Sequence, residues 1–81
     1  MATTLSGSIV MVFRNGNEIL RLAIESRADR TCYVSVTVIQ AANPDVGAIM
    51  LYRAWAPDEA VGMAEAVRYI EAYFPQAERV D

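Results

Sequence analysis

The patterned part of the chain opens with a β-branched and aromatic run, Ser8 to Arg14, then Asn15-Gly16, then an alternating stretch from Glu18 to Ser26. Two such runs around Asn-Gly are the strongest short-range sign of a β-hairpin. With Asn15 and Gly16 as the loop residues, Met11 falls opposite Leu20 and Ile9 opposite Leu22. Ile9, Met11, Phe13, Leu20, Leu22 and Ile24 then share one face. A short helix over Glu18 to Arg27 is the rival reading, because Glu, Leu, Arg and Ala are good helix formers. It would scatter Ile19, Leu20, Leu22 and Ile24 around more than half its circumference, whereas a strand gathers three of them on one side.

Cys32 to Gln40 is the clearest strand, with Val34, Val36 and Val38 on one face and Tyr33, Ser35 and Thr37 on the other. Asn43-Pro44-Asp45-Val46-Gly47 supplies turn chemistry, and Ala48 to Trp55 follows as a fourth strand. The connections are too short for crossovers between parallel strands, so an antiparallel meander is expected. From Pro57 the period changes. Pro57 at the first helical position, Asp58 and Glu59 in the first turn and Pro75 as terminator frame a helix of about 18 residues. Ala60, Met63, Val67, Ile70 and Phe74 trace its apolar stripe. Gly62, inside that helix, costs about 1 kcal/mol relative to Ala and reads equally as close approach to a strand backbone or as a tolerated defect.

The predicted class is therefore α+β, a four-stranded antiparallel meander followed by one C-terminal helix on one face (ββββα). The 81 residues read as a single domain. Within it, residues 1–7 form an N-terminal extension, 8–55 the sheet, 57–74 the helix and 75–81 a polar tail.

Composition narrows the chemistry. The sequence has no His, which removes the commonest general base near neutral pH and the commonest transition-metal ligand. All seven basic residues are Arg, so Schiff-base chemistry and the P-loop lysine are absent. The single Cys32 falls in a Val-rich strand and reads as a buried, inert thiol rather than a reactive one. Asp58 and Glu59 are an adjacent carboxylate pair, but at a helix N-terminus capping explains them better than catalysis. The four glycines match no nucleotide-binding fingerprint. No catalytic residue, metal site or cofactor is therefore expected, and the chain is read as a non-enzyme. Met1 to Ser8 carries no positive charge ahead of an apolar run, and neither a glycosylation sequon nor a membrane span is evident, so a cytoplasmic location is the expectation.

A helix of about five turns covers one face of such a sheet, and the other is unusually apolar. Opposite the helix-covered set lie Val10, Val12, Ile19, Ala23, Tyr33 and Ile39, interspersed with Arg21, Glu25, Ser35 and Thr37. The fourth strand adds either Ile49, Leu51, Arg53 and Trp55 or Ala48, Met50, Tyr52 and Ala54. Monomers rarely expose so large an apolar patch, so this face is expected to meet another protein, first of all a second copy. A strongly curled sheet that hides both faces at its ends is the bland alternative. The candidate partner-binding residues are Val10, Val12, Arg21, Tyr33, Arg53 and Trp55 on the sheet, with Glu65, Tyr69, Glu71 and Tyr73 on the helix. Tyr69 and Tyr73 serve equally as boundary residues with wet hydroxyls.

The expected function is a noncatalytic protein-interaction module, a homodimer acting as a small inhibitor or adaptor. A small acidic chain without catalytic residues has the profile of inhibitors from phages and other mobile elements, which block host nucleic-acid machinery by covering a basic surface. The alternative is a sheet that binds single-stranded nucleic acid through Arg21, Arg53, Tyr33 and Trp55. The order of four strands and a helix, with the start Ala56-Pro57-Asp58-Glu59, resembles the single-stranded-DNA-binding transcriptional coactivator fold called PC4. The chain departs from that family's basic hairpins, so no binding residues carry over. Residues 1–56 hold five arginines against four carboxylates, and residues 57–81 hold two against six. A net charge of −3 gives no drive for nonspecific binding to nucleic acid or anionic lipid.

Overall fold

The computed structural model describes residues 5–40, 43, 45 and 47–81. Strands β1 (Leu5–Asn15), β2 (Glu18–Arg27), β3 (Cys32–Gln40) and β4 (Ile49–Ala56) precede a helix, α1 (Glu59–Tyr73), and a two-residue strand, β5 (Glu78–Arg79). All paired strands are antiparallel, in the order β4-β3-β2-β1-β5. This is the expected α+β meander with its covering helix, extended by one short edge strand. The stretch read as a polar tail supplies that strand: Arg79 pairs with Phe13 and Glu78 with Arg14, and the Val80 amide donates to the Val12 carbonyl at 2.9 Å. At the other end β1 begins at Leu5 rather than Ser8, and residues 1–4 of the expected extension lie outside the described residues.

The β1–β2 turn sits one residue later than the Asn-Gly signal places it. Asn15 pairs with Glu18, which leaves Gly16 and Asn17 as the loop. Gly16 takes φ +61 and Asn17 stays out of the left-handed region, as in a type II′ turn. The Asn15 amide also donates to the Glu18 carboxylate at 3.2 Å. Met11 consequently lies opposite Leu22 rather than Leu20, and Ile9 opposite Ile24 rather than Leu22. A slip of two residues leaves every side chain on its face, so the predicted inner set is intact. Of the turn before β4, Gly47 adopts φ +84, whereas Pro44 and Val46 lie outside the described residues.

The core lies between the sheet and α1. It holds Leu20, Leu22 and Ile24 from β2, Cys32, Val34, Val36 and Val38 from β3, Ala56 from β4, and Ala66 and Ile70 from the helix. Each large side chain removed from water contributes about 1.5–3 kcal/mol. The helix lies across β2, β3 and β4 and does not reach β1, so Ile9 and Met11 remain half-buried.

The helix differs from its predicted stripe. Gly62, Ala66 and Ile70 are its buried residues; Met63, Val67 and Phe74 flank them, and Ala60 is exposed. Packing selects the smallest residues where the helix comes closest. A Cβ on Gly62 would stand 2.8 Å from Val34 Cγ2 and 3.2 Å from the Ala56 Cβ. Asp58 is the N-cap, accepting the Val61 amide at 2.9 Å, so Pro57 stands ahead of the cap and not in the first turn. Replacing Asp58 with Ala leaves that amide without its acceptor and should lower stability by about 1 kcal/mol in denaturant melts.

β4 combines the two alternatives left by its sequence. Val36 pairs with Tyr52 but Thr37 pairs with Met50, so Leu51 is an extra residue in a β-bulge. Alternation reverses across it. Tyr52, Ala54 and Ala56 share the face of Val36, Val34 and Cys32, while Met50, Arg53 and Trp55 share that of Thr37, Ser35 and Tyr33.

Candidate interaction surface

The face away from the helix is built from cross-strand rows. Trp55, Tyr33, Glu25 and Ser8 form one row, Arg53, Ser35, Ala23 and Val10 the next, and Met50, Thr37, Arg21 and Val12 the third. Ile39, Ile19 and Arg14 continue toward the hairpin end. The sheet-borne candidates Val10, Val12, Arg21, Tyr33, Arg53 and Trp55 thus lie together on one open surface. Trp55 is 56% exposed, Met50 48% and Val10 40%, whereas Ala23 is sheltered in the middle by longer neighbours.

Its most structured part is at one end. The Tyr33 and Trp55 rings meet at 5.1 Å between centroids, tilted by 56°, and the Arg27 guanidinium lies 4.3 Å from the Trp55 ring centroid. A cation over an indole face is attracted by the ring quadrupole, by about 0.5–1 kcal/mol where water has access. Glu25, Arg27, Tyr33 and Trp55 line a cleft of about 270 Å³. Arg27 was absent from the sequence candidates because, at the end of β2, it reads as a solvated terminal charge. Its place over Trp55 depends on a diagonal relation across β3 that only the register reveals. Met50, offered only in the alternative to Arg53 and Trp55, joins both on this face because of the bulge.

Charge is segregated through the thickness of the molecule. Arg14, Arg21, Arg27 and Arg53 share the open face with Glu25 and Glu78, while α1 carries Glu59, Glu65 and Glu71 with Arg68 on the other side of the sheet. Opposite potentials on opposite faces favour partners of opposite sign at each.

The helix candidates do not join this surface. Glu65, Tyr69 and Tyr73 line a separate groove of about 300 Å³ with Tyr52, Arg68 and Ala72, and Glu71 is not among its walls. Tyr52 and Tyr69 rings lie 4.9 Å apart, Tyr69 and Tyr73 rings 4.8 Å, and the Tyr69 hydroxyl donates to the Leu51 carbonyl at 3.4 Å. Tyr69 is a half-buried boundary residue, while Tyr73 is exposed. Desolvation, followed by repulsion from and hydrogen bonding to the Glu65 carboxylate, pushes the Tyr52 phenol above its ordinary pKa. The unfolded chain then loses this proton first, so stability should fall as pH rises from the ordinary tyrosine range through the raised value. An ultraviolet phenolate titration should show a late-ionising tyrosine that moves earlier in Glu65→Gln; unchanged titration in that variant would remove Glu65 as a cause.

Cys32 is buried, with its sulfur 3.5 Å from the Ser26 hydroxyl oxygen and 3.5 Å from the Arg30 carbonyl. That enclosure denies it the access a reactive thiol requires. Among the described residues, no helix is long and apolar enough to cross a membrane. No protein-family profile, curated protein or solved structure matches the chain.

Proposed function

We propose that the chain is a noncatalytic protein-interaction module, a small inhibitor or adaptor whose open sheet face grips a partner. The observation that carries this reading is the contact of Trp55, Tyr33 and Arg27 on a face that no other element among the described residues covers. Trp, Tyr and Arg are the residue types in which interface binding energy concentrates. Around them Val10, Val12, Ile19, Ile39 and Met50 provide the aliphatic surface that a protein partner can desolvate. The arginines favour an acidic partner segment on this face. The carboxylates of α1 offer a separate surface to a basic one.

A second reading follows from the same face. Four arginines with two glutamates, beside two aromatic rings, suit the phosphates and bases of a single-stranded nucleic acid. The interleaved aliphatic residues make it the weaker fit, since bases stack on rings rather than on Val and Ile. Affinity capture separates the two. A specific polypeptide retained by the native chain and by Tyr73→Ala, but lost with Trp55→Ala, supports the module; retention of none counts against it. Binding of single-stranded oligonucleotides at low salt, weakened in Arg21→Ala with a shallower salt slope, transfers the assignment to nucleic acid.

A further inference from the structure

We infer that a second copy of this chain pairs with the open edge of β1, strand to antiparallel strand about a two-fold axis, so that two five-stranded sheets become one. The inference goes beyond that reading and gives the homodimer expected from the sequence a specific seam. Along one side β1 is bonded to β2. On its other side β5 takes only Phe13 and Arg14, and Val80 takes the Val12 carbonyl. From Leu5 to Met11, β1 has no second neighbour among the described strands. Seven residues make about 24 Å of unpaired strand edge.

Nothing in the sequence of that edge defends it. Natural edge strands are blunted by charge, proline or bulges, yet Leu5 to Phe13 contains neither a charged residue nor a proline. The one irregularity lies at its far end, between Leu5 and Gly7, and Gly7 to Met11 is regular. The opposite edge, β4, is protected in the usual way by the bulge at Leu51 and by Arg53. Both faces of the β1 edge are also incompletely covered. Val10 is 40% exposed on the open face, and Ile9 and Met11 are half-buried on the inner face because α1 stops short of β1. A strand laid beside β1 would complete its hydrogen-bond ladder and extend both apolar surfaces.

The occupant is identified by what the seam tolerates. The edge needs an extended, uncharged partner about seven residues long that stops where β5 begins. The same stretch of a second copy meets this requirement. Paired with itself in antiparallel sense, it brings no like charges together, and each β5 continues the edge beyond the seam without competing for it. Such an isologous contact closes as a dimer rather than growing into a fibre.

Light scattering across a concentration series tests the seam, with Ser8→Lys and Ser8→Glu as probes, since Ser8 is exposed at the midpoint of the Leu5 to Met11 stretch and pairs with Glu25 on its bonded side. The native chain should show twice the single-chain mass. Each variant alone should fold normally in a thermal melt but associate at least about tenfold more weakly, because two like charges then meet near the axis. Mixing the two variants should restore the double mass. A single-chain mass for the native protein at every concentration overturns the inference. So does a dimer that both Ser8 variants leave intact and Met50→Lys dissolves, which would place the contact at β4. Specific capture through Trp55 by a monomer refutes the seam alone, whereas a β1-linked dimer that captures nothing refutes the proposed module alone.

Discussion

Gly62→Leu is expected to lower stability by about 3 kcal/mol, with a fall of roughly 12–24 °C in the melting midpoint for a domain of this size. The total stability of such a chain is on the order of 4–12 kcal/mol, so the variant would lose a large share of it. The cause is geometric. The first atom added at this position would already stand 2.8 Å from Val34 Cγ2 and 3.2 Å from the Ala56 Cβ. Val34 is fully buried and β-branched, so its methyl cannot swing away without leaving its rotamer well. A leucine drives four carbons into that seam and forces α1 off the sheet. Gly62→Ala should lose far less, because about 1 kcal/mol of improved helix propensity offsets the close contact. The diagnostic measurement is a double-mutant cycle with Val34→Ala: part of the leucine penalty should disappear when the opposing methyl groups are removed. A Gly62→Leu melt within a few degrees of the native curve would mean that the helix is not seated on glycine.

Gly62 itself stands out in the sequence as a costly glycine inside a helix, and of its two readings the packing bears out close approach. Alternation around Asn-Gly defined the hairpin and both sheet faces, because a period of two survives an error in loop placement so long as the slip is even. The slip was two, and the partners changed while the faces did not. The helix stripe was legible in part: Met63, Val67, Ile70 and Phe74 do pack in or against the core, but its centre runs through Gly62 and Ala66, and Ala60 is exposed. Hydrophobic spacing scores Ala60 and Met63 and is blind to Gly62, but close packing is decided by how little volume a residue has at the point of nearest approach. The bulge at Leu51 was not legible because it belongs to the register between β3 and β4 rather than to either strand alone. Nor was β5: Glu78 and Arg79 carry no apolar period, and they become a strand only because β1 offers unpaired edge groups to bond. Of the candidate surface, the sheet residues were legible through alternation. Arg27 was not, Met50 was legible only as an alternative to Arg53 and Trp55, and Glu65, Tyr69 and Tyr73 line a different groove.

Trp55→Ala is expected to reduce partner affinity by roughly 30-fold or more, equivalent to about 2 kcal/mol, with little loss of stability. The two halves of that statement come from different facts. Trp55 is more than half exposed and sits on β4 at the margin of the sheet, so truncation opens no core cavity. What it removes from the free chain is the contact with Tyr33 and Arg27, worth about 1 kcal/mol. In a complex the same indole would lose its remaining contact with water, and its flat ring, held by Tyr33 on one side and Arg27 over its face, would arrive with little freedom left to lose. Arg27→Ala should accordingly weaken binding by a smaller factor, by loosening the ring and removing a charge from the face. Tyr73→Ala removes a residue of 69% exposure from the opposite side of the sheet and should leave affinity unchanged, so it controls for general stickiness. The chain contains one tryptophan, so its emission reports this site alone. A blue shift on adding the captured partner should appear in the native protein and persist, reduced at equal concentration, in Arg27→Ala. Full affinity in Trp55→Ala, or an emission spectrum that ignores saturating partner, would place the binding surface elsewhere on the molecule.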